Sequence, residues 1–149
     1  MQAQILAPAA ALIAWSLIIL FLVPITRLPA LKKLGSGLNK AEPGARGQDV
    51  ESQLPAKVRW ISHNYSHLME QPTIFYPTVL IIAILGANAG DVLAAWIYVG
   101  FRVTHSLWQI LINIVLVRFA LFLGATTALV YLIYRAVSLT LFANPGVLS

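Results

Sequence analysis

The 149-residue chain has no cysteine and only five acidic residues, and charged residues of either sign make up just 10% of it. The missing cysteine excludes disulfides, thiolate metal sites and a protein thiol nucleophile. It leaves the compartment open, because membrane helices need no disulfides. So few charges beside 59% apolar residues exclude an ordinary soluble domain, where the apolar share runs at roughly 45–50%. The net charge of +5 does not point to nucleic acid, because its distribution is that of a membrane protein. Internal repeats and low-complexity tracts are also absent, and a single domain over residues 1–149 is the natural count. The N-terminus lacks a charged n-region and a small-residue cleavage site, so the first apolar run is expected to be a retained span.

What is present is a series of apolar runs of membrane length. The first extends from about Gln4 to Thr26, with Pro24 and Pro29 bracketing its exit; about 20 residues cross ~30 Å of hydrocarbon. A polar, glycine- and proline-punctuated stretch from Arg27 to Leu54 reads as a loop. Pro55 suits the first turn of a second helix, predicted over 55–85, with kinks at Pro72 and Pro77. A tight turn over Gly86–Gly90 precedes a third helix over 91–112, with Asp91 as the expected N-cap. Asn113 separates it from a fourth over 114–141, and Asn144-Pro145-Gly146 ends the structured chain. Seven of the ten Lys and Arg residues lie between Arg27 and Arg59, which places that loop in the cytoplasm and both termini outside. The expected fold is an all-α polytopic bundle of four transmembrane helices. So short a chain shields its polar faces from lipid best by associating with copies of itself.

Polar residues inside these runs are the candidate site, since a charge at the bilayer centre costs at least ~2.5–3.5 kcal/mol and is usually kept for function. On the second helix Arg59, His63, His67 and Glu70 follow the i, i+4, i+8, i+11 spacing of one face. Arg102, His105 and Gln109 form a stripe on the third helix, and Arg118 opens the fourth. With alternating helix direction Arg59 to His67, Gln109 and Arg118 converge at the cytoplasmic side, while Glu70 and Arg102 lie deeper as natural ion-pair partners. Each has a plainer reading. Glu70 with Arg102 is a buried pair fixing helix register, and Arg59 is a headgroup anchor. His63, His67 and Glu70 have a metal-like spacing, but no further carboxylate or thiol joins them, so a hydrogen-bonded face is expected and no metal. His105 beside Ser106 suits a hydrogen-bond hub. Arg118 fits the plain reading worst: apart from the more central Arg102, it has no acid close in sequence and awaits an anionic ligand.

The segments Glu70-Gln-Pro-Thr-Ile-Phe-Tyr-Pro77, Tyr98-Val-Gly-Phe-Arg-Val-Thr-His-Ser106 and Val115-Leu-Val-Arg-Phe119 resemble MAPEG proteins, the membrane-associated proteins in eicosanoid and glutathione metabolism. The Glu-Gln-Pro variant is most similar to bacterial members, which implies a bacterial inner membrane. The resemblance runs from about Arg59 to Leu141. It implies a homotrimer that binds glutathione as co-substrate between adjacent subunits and acts on a lipophilic small molecule drawn from the membrane lipids. At the place of Arg118 the family's enzymes carry an arginine thought to stabilise the thiolate. Arg102 and His105 would line the site, and Glu70 would contact the peptide. The chain departs from the family at Ser66 and His67, where Arg and Asn are usual, and at Gln109 and Phe122, where several eicosanoid enzymes have Tyr. A glutathione-dependent transferase or peroxidase is the first expectation, a non-catalytic lipid-binding or scaffold member the second, and a small channel or transporter the third.

Overall fold

The computed structural model describes residues 1–35, 43–44 and 46–142, and these are helical almost throughout. The expected end at Asn144-Pro145-Gly146 lies outside the described residues. Helix α1 spans Gln2–Lys33, α2 Ala56–Leu68, α3 Pro72–Leu85, α4 Ala89–Leu111 and α5 Val115–Thr140, with a 3₁₀ segment over Gly47–Gln53. Helix α4 packs against α1, α2 and α5, while α3 packs against α1 and α5. Among the described residues, α1, the α2–α3 pair and α5 are long and apolar enough to cross a membrane.

Helix α1 outruns its expected end at Thr26, and Pro24 and Pro29 lie inside it. The Thr26 hydroxyl donates to the Leu22 carbonyl at 2.8 Å beside the first of these prolines. Leu31 is buried on the far side of the second, which anchors the last turn. Lys32 and Lys33 then close the helix where cations complement its dipole. The polar loop is correspondingly shorter than Arg27–Leu54 and contains the 3₁₀ turn.

The expected second helix is two helices. Pro72 is the first residue of α3, and Met69–Gln71 form a turn rather than a kink. Pro72 has no N–H for the α2 ladder, whereas Pro77 stays inside α3. Asn88, not Asp91, caps α4. Its side chain accepts from the Asp91 N–H at 2.9 Å, and Asp91 accepts from the Asn88 N–H at 3.0 Å. That leaves Asp91, fully buried, free to take Arg135 of α5 in a two-pronged pair at 2.9 and 3.2 Å. Asn113 turns the chain between α4 and α5 with φ at 62°, a left-handed conformation that Asn tolerates better than most residues.

Helix α4 is built inside out. Tyr98, Arg102, His105, Ser106 and Gln109 are buried, while Leu93, Trp96, Ile97, Leu107 and Leu111 face outward. A water-soluble helix has the reverse arrangement. Beside this stripe Tyr98 stacks on Phe75 of α3 at 4.2 Å between ring centres. Gly124 of α5 lies under the Phe101 ring, where an added Cβ would stand 2.7 Å from a ring carbon.

Candidate active site

The site grows out of the break between α2 and α3. The last carbonyls of any helix lack N–H partners, and the turn at Met69–Gln71 leaves that of His67 to be satisfied by a side chain. Arg102 does so from α4: its Nη2 donates to the His67 carbonyl at 2.5 Å and lies 3.3 Å from His67 Nδ1. A guanidinium at a helix C-terminus is also favoured by the helix dipole. Yet Arg102 is only 2% exposed, and its Nε and Nη1 have no partner among the described residues.

The expected ion pair with Glu70 does not form. Helix α2 stops at Leu68, so Glu70 leaves the helical face in the turn, with its side chain 67% exposed and 3.6 Å from His67 Nδ1. Its charge reaches Arg102 without contact. The most buried cation of the bundle is therefore held by a carbonyl and an imidazole.

His105 lies next to His67, with ring centres 4.8 Å apart, and both of its ring nitrogens are buried without a partner among the described residues. Gln109, one turn further on, is 2% exposed with an unpartnered Oε1. Phe122 meets the edge of the His67 ring at 6.0 Å from α5. Arg118 closes the cluster at the turn. Its Nη1 donates to Asn113 Oδ1 at 2.8 Å, its Nε is buried without a partner, and its charge reaches both His67 and His105.

The remaining expected members lie elsewhere. His63 is exposed and faces Glu51 of the 3₁₀ segment at 3.4 Å. Arg59 is half-buried, with no hydrogen bond to the cluster. The proposed stripe splits because the buried face of α2 is Ile61, Asn64 and Leu68, with His67 at its border and His63 turned away.

That face also supplies what the reading of polar stripes missed. Ser106 Oγ accepts from Asn64 Nδ2 at 2.7 Å and from Trp15 Nε1 at 2.9 Å, joining α2, α4 and α1 beside His105. Asn64 recurs with Ile61 and Leu68 at i, i+3, i+7, a signal visible once apolar rather than charged positions define the face. Trp15 carried no such signal.

The cluster of two guanidiniums, two imidazoles and an amide is rich in donors and poor in acid. Buried polar atoms are seldom left without partners, and guanidiniums pair most strongly with carboxylates and other anions. A family model described as the MAPEG family matches residues 5–138. The chain belongs to the MAPEG family. This family includes glutathione transferases and peroxidases. The match takes in α1, beyond the part of the chain where the sequence motifs lie. Comparison with curated proteins found no match, and neither did comparison with solved structures.

Proposed function

We propose that this MAPEG protein is a membrane-embedded, glutathione-dependent transferase or peroxidase acting on lipophilic electrophiles. The observation that carries the reading is Arg102, Arg118, His67 and His105 gathered in one part-buried cluster with unpartnered polar atoms and, among the described residues, no acid in contact with either arginine. Such a set suits a ligand that brings its own negative charges, and a thiol tripeptide with two carboxylates does so. A free thiol with a pKa of about 8.5 is mostly protonated at neutral pH. A guanidinium in an apolar pocket favours the thiolate, and Arg118, held by Asn113 at the mouth of the cluster, is the group assigned to it. In the transferase reaction the thiol releases its proton to solvent. Its sulfur forms a bond to the electrophilic carbon, and the displaced group leaves with the bonding electron pair. Arg102 and His105 hold the peptide, with Gln109 and His67 as further polar contacts and Glu70, His63 and Arg59 at the outer edge.

The same reading makes α4 a fourth span, because its outward face is apolar and its polar stripe is internal. It places the Arg27–Arg59 region in the cytoplasm, both termini outside, and the chain in a homotrimer within a bacterial inner membrane. The exposed apolar residues of α5, among them Leu116, Phe119 and Leu123, suit lipid or a neighbouring subunit.

A second reading rests on Phe122. Its ring lies against His67 where a hydroxyl would serve a thiolate, and a non-catalytic lipid-binding member would have no need of that hydroxyl. Turnover of a chlorinated nitroaromatic with glutathione by the detergent-solubilised protein tests the two. The enzyme reading expects turnover that Arg118→Leu abolishes while thermal unfolding stays cooperative. Wild-type turnover that persists in Arg118→Leu contradicts the mechanism.

A further inference from the structure

Hydroxyls inside these helices commonly close on their own backbone: those of Ser16, Thr78 and Thr126 donate to the carbonyl one turn back. Ser106 does otherwise. Its Oγ takes an N–H from each of two other helices, Asn64 Nδ2 of α2 at 2.7 Å and Trp15 Nε1 of α1 at 2.9 Å. Ser106 and Asn64 are both buried, and the partners lie 42 and 91 residues from Ser106 in the chain. A buried donor is costly to leave unmade, so each tie fixes where its helix sits against α4.

The place of this node matters more than its strength. Asn64 and His67 stand three residues apart on α2, and Arg102 and Ser106 four apart on α4, so the two helices meet in rungs one turn apart. One rung is Asn64 on Ser106, and the other is His67 against Arg102 and His105. His105 is the neighbour of Ser106 in the chain, and its ring nitrogens have no partner of their own among the described residues. The direction of that ring is therefore set by the seat of α4, and Ser106 fixes the seat. Arg118 stands outside this frame, on α5, where Asn113 holds it.

We infer that the Trp15–Ser106–Asn64 node positions His105 for the peptide, so that Trp15 of α1, itself outside the arginine–histidine cluster, sets how tightly glutathione is held. Trp15 and Asn64 act through His105 and are positioning residues. The inference rests on the glutathione reading above. With a tie missing, α4 spends part of its time in seats where His105 misses the ligand, and the apparent affinity falls by the fraction that remains competent. Thiol activation by Arg118 is made from another helix, so the loss falls on KM and not on kcat.

The test is steady-state kinetics of the full chain in detergent, with glutathione varied against a chlorinated nitroaromatic. Trp15→Phe keeps an aromatic ring in place and removes only the N–H donor. It should raise the glutathione KM about fivefold, the worth of one hydrogen bond, and leave kcat unchanged. Ser106→Ala removes both ties and should raise KM further, and Ser106→Thr, which keeps the hydroxyl, should restore it. Adding Trp15→Phe to Ser106→Ala should change nothing more, since the two act on one bond. Arg135→Gln loosens the end of the bundle away from the basic belt of Lys32, Lys33, Lys57 and Arg59, and should leave KM at the wild-type value. A wild-type KM in Trp15→Phe would overturn the node, and so would a fall in kcat alone. An equal rise in Arg135→Gln would reduce the effect to general loosening and overturn it too. Absence of turnover in the wild type would instead refute the glutathione reading, and this inference with it.

Discussion

Arg102 is the residue whose energetics say most about function. An arginine in an ordinary buried ion pair costs about 3–5 kcal/mol when removed, because it leaves an unpaired acid behind. Here the partner is a carbonyl, and no acid among the described residues is in contact. Removing the guanidinium forfeits a charged hydrogen bond of about 1.5–3 kcal/mol. It also relieves a buried charge worth at least ~2.5–3.5 kcal/mol on insertion scales. The two nearly cancel, so Arg102→Met should unfold within about 1 kcal/mol of the wild type in detergent while losing the glutathione-induced rise in unfolding temperature. A loss above about 3 kcal/mol would mean that an acid, with Glu70 the obvious candidate, neutralises Arg102 after all. The importance of Arg102, His105, Gln109 and Arg118 was legible as charge and amide in an apolar run. Their partners were not. Glu70 is a sensible mate for Arg102 only if the helix continues through it. A helix end at Leu68 and a left-handed Asn113 are backbone events that composition does not announce.

At the scale of elements, the reading of helices fared best where apolar length decides and worst at their ends. Helices α4 and α5 start and stop within a few residues of expectation, because the glycine-rich turn before α4 and Asn113 before α5 are breaks that a sequence displays, although the cap of α4 is Asn88 and not Asp91. The first helix ran past two prolines because Leu31 found a buried seat, which is a tertiary fact. The second broke at Pro72 but not at Pro77, and only the packing around each proline separates them. The opposite end of the bundle from the basic belt is fastened by Asp91 and Arg135, a pairing overlooked because Asp91 was taken for a cap alone. Asp91 is fully buried while Arg135 is partly exposed. Arg135→Gln therefore strands a buried carboxylate and should cost about 3 kcal/mol in chemical unfolding. Adding Asp91→Asn should recover most of that loss, since an amide keeps the Asn88 cap and carries no charge. A double variant no better than Arg135→Gln alone would show that the pair does not fasten α4 to α5.

The whole molecule has an apolar core and also an exposed apolar surface, with Arg102, His105 and Gln109 buried on α4 between them. So much exposed leucine and isoleucine suits a membrane, and the family match over residues 5–138 agrees with it. The central claim is that the cluster around Arg102 and Arg118 activates a thiol. Its most direct test is the ultraviolet difference spectrum of the purified protein on adding glutathione at neutral pH, repeated with Arg118→Leu. A thiolate absorbance band in the wild type that disappears in the variant is the predicted result. No band in the wild type, or an equal band in both proteins, would contradict it.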